Sequence, residues 1–117
     1  MRDCVFCDHD RIATPIEYDC AAVGSRLYDV VVFEPLNPVA PGHLLVVPVA
    51  HVTDVTEDPS VSAAAMEVAA RVARRYQSSN IIVNSGRAAT QSVFHLHLHV
   101  VPRHPRDGLK LPWSRRT

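Results

Sequence analysis

Hydrophobic and polar positions along the chain fall into several short apolar runs and one helical stripe. The sharpest pattern begins at Phe94, where Phe94, Leu96, Leu98 and Val100 alternate with His95, His97 and His99. A period of two is the mark of a strand, so one face is apolar and the opposite face carries three imidazoles, roughly 6.5–7 Å apart. Residues 27–33 form a second, valine-rich strand. Residues 42–48 predict a third, and their continuous apolar run implies burial on both faces. Ile81-Ile82-Val83 predicts a fourth. A weaker strand is expected within residues 11–22, around Ile16-Glu17-Tyr18. Pro35, Pro38 and Pro41 forbid regular pairing and mark a rigid loop.

The stripe lies between these strands. Asp58-Pro59 reads as an N-cap followed by proline at the first helical position. Val61, Ala65, Val68, Ala69, Val72 and Tyr76 then recur on one helical face. This predicts a main helix over about residues 59–77, ended by Ser78-Ser79-Asn80. Arg71, Arg74 and Arg75 fall in its last turns, where cations complement the helix dipole, and read as solvated. Strands, one helix and further strands joined by short loops define an α+β fold, an antiparallel sheet with the helix on one face.

Composition narrows the class. A chain of 117 residues with 47% hydrophobic content is one domain with a modest core. Twelve basic against twelve acidic residues give zero formal charge, which argues against a nucleic-acid partner held by electrostatics. The balance is uneven, because Arg103, Arg106, Lys110, Arg115 and Arg116 near the C-terminus face only Asp107. Residues 1–103 are thus expected as a single domain and residues 104–117 as a basic tail. The opening Met1-Arg2-Asp3-Cys4 lacks the apolar run of a signal peptide, and no stretch has the length of a membrane span. A cytoplasmic location and no membrane partner are expected.

The candidate chemistry sits in two motifs. A single histidine beside a sheet is ordinarily structural, but three in strict alternation point to a site. Two of them could chelate a catalytic metal. Alternatively, one is a nucleophile and its neighbours bind the oxyanions of a phosphate. The second motif is Cys4-x-x-Cys7. A redox role needs a preceding strand, and none precedes it. A zinc role needs two more ligands from His9, His43, His51, His95 and His104. Two free surface thiols are the remaining alternative. Cys20 has no partner at metal spacing and reads as packing.

Residues 91–103, with Cys4-Val5-Phe6-Cys7 and residues 37–48, resemble the histidine triad (HIT) superfamily, in particular its zinc-binding nucleotide hydrolase and transferase branch. The resemblance spans residues 4–103. It implies a HIT-like antiparallel sheet, a homodimer, and nucleotidyl transfer through a histidine intermediate. His97 matches the nucleophile. Ser92 and His99 match phosphate-contacting positions, as does Asn84, while Gln91 neighbours them and shapes the turn. Phe33 and Glu34 stand near the ribose-binding place, although the family's acid usually lies two residues beyond the phenylalanine, not one. His43 matches a histidine near the nucleotide pocket, with a purely structural role as the alternative. Thr90 replaces a common glycine and could narrow the phosphate approach. Cys4, Cys7, His51 and His95 match a structural zinc site, with no catalytic metal required. Trp113 stands where some relatives place a tryptophan in a neighbouring subunit's pocket; a surface anchor or core aromatic are its other readings.

The implied substrate is a purine nucleoside phosphoramidate or dinucleoside polyphosphate cleaved at the α-phosphate. Two other readings stay open. One is a metal-dependent hydrolase that uses the triad as ligands, and the other a non-enzymatic nucleotide-binding or interaction module.

Overall fold

The computed structural model describes residues 4–113. Residues 1–3 and 114–117, which include Arg115 and Arg116 of the expected tail, lie outside the described residues. A 3₁₀ turn at His9–Arg11 precedes β1 (Ile16–Val23), β2 (Arg26–Phe33), β3 (Leu44–Pro48), α1 (Pro59–Ala73), β4 (Ser79–Val83), a second 3₁₀ turn at Arg87–Ala89, and β5 (Leu98–Pro102). The strands make one sheet in the order β1-β2-β3-β5-β4, with every neighbour antiparallel. This is the expected α+β architecture. No helix of the described residues is long and apolar enough to cross a membrane.

Strand parity builds two cores. Val30 and Val32 of β2, Val46 of β3, and Leu98 and Val100 of β5 face α1, where they meet Val61, Ala65, Val68, Ala69 and Val72. The intervening Val31, Phe33, Leu45 and Val47 face away from the helix and are covered by Phe6. Burial on both faces explains why β3 reads as an unbroken apolar run. The sheet's second face is therefore roofed by the segment that carries the two cysteines. That roof places those cysteines near the histidines.

Two predicted boundaries move. The helix ends at Ala73, not near residue 77: the Arg74, Arg75 and Tyr76 N–H groups bond three residues back, to the Arg71, Val72 and Ala73 carbonyls, in place of the helical four. Tyr76 has left the helix, and its hydroxyl donates to the Gly42 carbonyl at 2.6 Å. Gly42 itself sits at φ 88°, and a Cβ there would lie 3.2 Å from Tyr76 and Pro102, so only glycine fits this crossing. Ser79 and Asn80 begin β4 instead of ending the helix. The second shift concerns the histidines. β5 starts at Leu98, so His95 and His97 precede the paired strand. Pairing runs as far as Val46↔Leu98. The next β3 residue on that side, Pro48, has no N–H to extend the ladder. The Leu96 N–H instead donates to the Val52 carbonyl at 2.8 Å. The alternation in facing persists, with Leu96 in the helix-side core and His95 and His97 against Phe6.

Arg71 and Arg75 are half-exposed, and each ties the helix to β1. Arg71 pairs with Asp19 and also with Glu67, and Arg75 with Glu17. Exposed pairs of this kind contribute roughly 0–1 kcal/mol each. The start of the expected tail is folded back: Arg103 bonds Asp107, Asn80 and the Leu109 carbonyl. Trp113 is 76% exposed, which corrects the reading of it as a core aromatic.

Candidate active site and metal-ligand cluster

Four sequence-predicted residues meet beneath the N-terminal segment. The ligand atoms of Cys4, Cys7, His51 and His95 all lie within 4.8 Å of one another. The His51 and His95 Nδ1 atoms are 3.0 Å apart, and the Cys7 Sγ is 3.2 Å from His51 and 3.4 Å from His95. Cys4 Sγ is 3.4 Å from His95 Nδ1. Zinc bonds of about 2.0–2.3 Å in tetrahedral geometry set ligands roughly 3.3–3.8 Å apart, so the spacing suits that ion.

The tautomer suits it too. A carbonyl can only accept, so His95 Nε2–H donates to the Pro48 carbonyl at 2.8 Å. A neutral imidazole has one N–H, which leaves Nδ1 bare and facing the cluster. Burial lowers the His95 pKa, with the Pro48 bond opposing, and so favours that neutral form. Burial likewise raises the Cys7 thiol pKa, with Cys4 adding to the rise; a metal would reverse that by binding the thiolate. Four protein donors would leave a metal here no open position, the arrangement of a structural site.

The same logic orients the other two triad histidines. His97, 8% exposed, donates from Nδ1 to the His95 carbonyl at 2.8 Å. Its Nε2 is therefore the bare nitrogen. Burial lowers its pKa, opposed by that backbone bond, so the neutral form is favoured. A second chain of bonds runs through His43. The Val39 N–H donates to His43 Nδ1 at 3.1 Å, so His43 carries its proton on Nε2. That Nε2–H donates to His99 Nδ1 at 3.0 Å. His99 must then hold its own proton on Nε2. Beside the bare His95 Nδ1 turned to the cluster, the triad thus presents a second bare nitrogen, on His97, next to one fixed N–H donor, on His99. The rings of this pair are 5.2 Å apart. His99 is pushed down to about 4, first by burial and then by His97 and His43. Burial also lowers His43, with Glu34 opposing.

His97, His99, His43 and Ser92 line an open cleft of about 410 Å³, within the usual range for small-ligand sites. Phe6, Phe33 and Leu45 supply apolar wall, and Glu34 stands exposed at the rim. Ser92 is also exposed.

Two predicted site residues, Gln91 and Asn84, are not among those lining the cleft. Gln91, 3% exposed, has its amide bonded to the Thr53 and Val93 carbonyls and to the Gly86 N–H. Its donors and acceptor are taken by backbone, so it clamps the loop. Asn84 is half-buried at the end of β4 and is not among the cleft-lining residues. The triad is not a ligand set of its own: among the described residues, His95 alone of the three joins a metal-competent cluster. Sequence reasoning did not single out Phe6, whose ring lies 5.1 Å from His97 and 5.6 Å from Phe33. The signal available was an aromatic residue held between two cysteine ligands. Thr90 adopts a left-handed conformation at φ 68°, which is uncommon for a β-branched residue.

A five-stranded antiparallel sheet that sets a tautomer-locked histidine beside a histidine donor, next to a Cys2His2 cluster, defines a small histidine-triad protein. Residues 19–106 match the HIT domain, and the chain belongs to the HIT family. It is 42% identical over 83 residues to an uncharacterised HIT-like protein of Mycobacterium tuberculosis (strain ATCC 25618 / H37Rv), covering 65% of this chain and 56% of that one. It is 35% identical over 116 residues to an adenylylsulfatase of Arabidopsis thaliana, covering 93% of this chain and 56% of the relative. The chain therefore spans little more than half the length of these curated relatives. Among solved structures it resembles a zinc-bound histidine triad family protein from Mycobacterium smegmatis. That match has 31% identity and a TM-score of 0.66, over 93% of this chain and 81% of that chain.

Proposed function

We propose that this chain is a nucleotide hydrolase or transferase working through a nucleotidyl-histidine intermediate on His97. It acts at the α-phosphate of a purine nucleoside phosphoramidate, dinucleoside polyphosphate or related adenylyl compound. The observation that carries this reading is the Nδ1–H bond from His97 to the His95 carbonyl, which leaves Nε2 bare in the cleft. The Arabidopsis relative's activity on adenylyl sulfate supports the substrate class.

In the first step the Nε2 lone pair of His97 forms a bond to the α-phosphorus. The bond from phosphorus to the leaving group breaks, and its electron pair departs with that group. In the second step water adds to phosphorus and gives up a proton to solvent, matching the one that an amine leaving group takes from solvent in the first step. The N–P electron pair returns to Nε2, and the nucleoside monophosphate leaves with His97 restored. The His99 Nε2–H and the Ser92 hydroxyl donate to the non-bridging oxygens, where charge builds. Phe33 and Glu34 take the nucleoside end, with Glu34 toward the ribose hydroxyls. Gln91 acts by holding the loop that carries Ser92, and Asn84, at the start of the preceding loop, is a further proposed phosphate contact. Cys4, Cys7, His51 and His95 hold a structural zinc, and the scheme uses no catalytic metal. Residues 1–103 form the single HIT domain, with residues 104–117 as its tail. The free outer edge of β4 suits a homodimer joined along the sheet.

The test is intact-protein mass spectrometry after brief mixing with excess adenosine phosphoramidate or adenylyl sulfate, quenched in alkali because the N–P bond is acid-labile. A nucleotidyl adduct on the wild type, absent from His97→Ala along with turnover, is expected. Turnover that survives His97→Ala would overturn the assignment.

A further inference from the structure

We infer that the Cys4/Cys7/His51/His95 site and the nucleotide cleft are coupled, so that a metal in one and a nucleotide in the other each strengthen the other's binding. The inference rests on the nucleotide reading of the cleft. Two connections between the sites carry it.

The first is Phe6. Val5 and Phe6 are the only two residues between the ligands Cys4 and Cys7, and both line the cleft. A two-residue span between two anchors has little freedom of its own. The Phe6 ring, 9% exposed, stands edge-on to His97 at 5.1 Å and 79°, and edge-on to His95 at 6.1 Å. Anchoring both cysteines therefore fixes one wall of the cleft against the nucleophile.

The second connection is His95 itself. Its Nδ1 faces the cluster and its backbone carbonyl accepts the His97 Nδ1–H. One residue thus offers a ligand atom and orients the nucleophilic ring. The bare His95 Nδ1, the His51 Nδ1 3.0 Å from it and the two sulfurs converge on one point, where a cation would bind all four at once. A metal at that point would tie Cys4, Cys7 and His95, and with them Phe6 and the His97 segment, into one ordered unit. The ordering that nucleotide binding would then need is already present in the metal-bound protein.

Linkage makes the effect reciprocal, since each ligand changes the other's affinity by one common factor, on the order of 5- to 150-fold for coupled sites. The test measures binding, not turnover. Zinc affinity is determined by chelator competition with and without adenosine 5′-monophosphate. The dissociation constant of that nucleotide is determined by calorimetry on zinc-loaded and metal-free protein. The expected result is an equal shift of at least fivefold in both, falling toward one in Phe6→Ala while Phe6→Tyr retains it. Both ligands binding with no mutual effect overturns the inference and leaves the functional reading standing. A coupling that persists in Phe6→Ala, with metal-free protein unfolded by circular dichroism, overturns the route and assigns the effect to global folding. Failure of the folded protein to bind zinc or the nucleotide overturns the reading beneath the inference, and the inference with it.

Discussion

The imidazole of His99 is held neutral by burial and by two neighbouring rings, with its pKa lowered from 6.5 to about 4. The unfolded chain keeps it near 6.5, so between those values the unfolded state binds a proton that the folded state refuses. Stability is therefore full above pH 6.5 and is lost as the pH falls toward 4. The lowered values of His43, His95 and His97 act in the same direction. Urea midpoints should be level above about pH 7 and drop between pH 6.5 and 4. The drop should be shallower in His99→Asn, and that difference separates the imidazole from any loss of metal in acid. Equal slopes in the two proteins would refute the assignment. At this scale the sequence showed which residue types were available but not their protonation. The row of three histidines was visible as alternation, whereas the tautomer of each depends on a carbonyl or ring supplied from elsewhere. For His95 that partner is Pro48, 47 positions away, and for His99 it is His43, 56 positions away.

Among the elements, α1 was the most legible, because its cap and its stripe are both local patterns. Asp58 accepts from the Ser60 N–H at 3.1 Å, with Pro59 opening the helix. Asp58→Ala should therefore cost about 1 kcal/mol, read as a lower urea midpoint with an unchanged slope. An unchanged midpoint would mean that the cap contributes nothing. The element ends were less legible. Tyr76 continues the apolar stripe in sequence, yet its hydroxyl is drawn to the Gly42 carbonyl across the molecule. The histidine run alternates from Phe94, yet pairing stops at Leu98 because the partner strand ends in a proline with no donor. In both cases a long-range partner overrides a correct local period. The arginines of the last helical turns show the same effect: the spacing suggested solvation, and the sheet supplied Asp19 and Glu17 as partners.

For the whole molecule, the Cys4/Cys7/His51/His95 cluster clamps the N-terminal roof to the turn after β3 and to the histidine segment. Removing a metal from it should lower stability. At a free metal concentration a thousandfold above its dissociation constant, the linkage is worth about 4 kcal/mol. For a domain of this size that corresponds to a melting temperature lower by roughly 15 °C. Differential scanning calorimetry with and without a strong chelator checks this, with Cys20→Ser as the thiol control. Cys20 lies half-buried in β1 outside the cluster, so the chelator effect should survive in that variant. Metal analysis that finds no zinc would refute the premise.

The sequence by itself determined the α+β class, the strands, the helix start and the row of histidines, because periodicity, caps and proline breaks are properties of neighbouring residues. The resemblance carried by its motifs added the candidate ligand set Cys4, Cys7, His51 and His95 and the proposed nucleophile His97, which spacing alone had left among five candidate histidines and two chemistries. Only the tertiary structure brought Cys4 to His95 across 91 positions, set Phe6 against His97, and turned Gln91 into a loop clamp. It also decided which nitrogen of each imidazole is bare. These outcomes depend on which groups the fold makes neighbours, and a hydrogen bond or a ligand set exists only where distant parts of the chain meet.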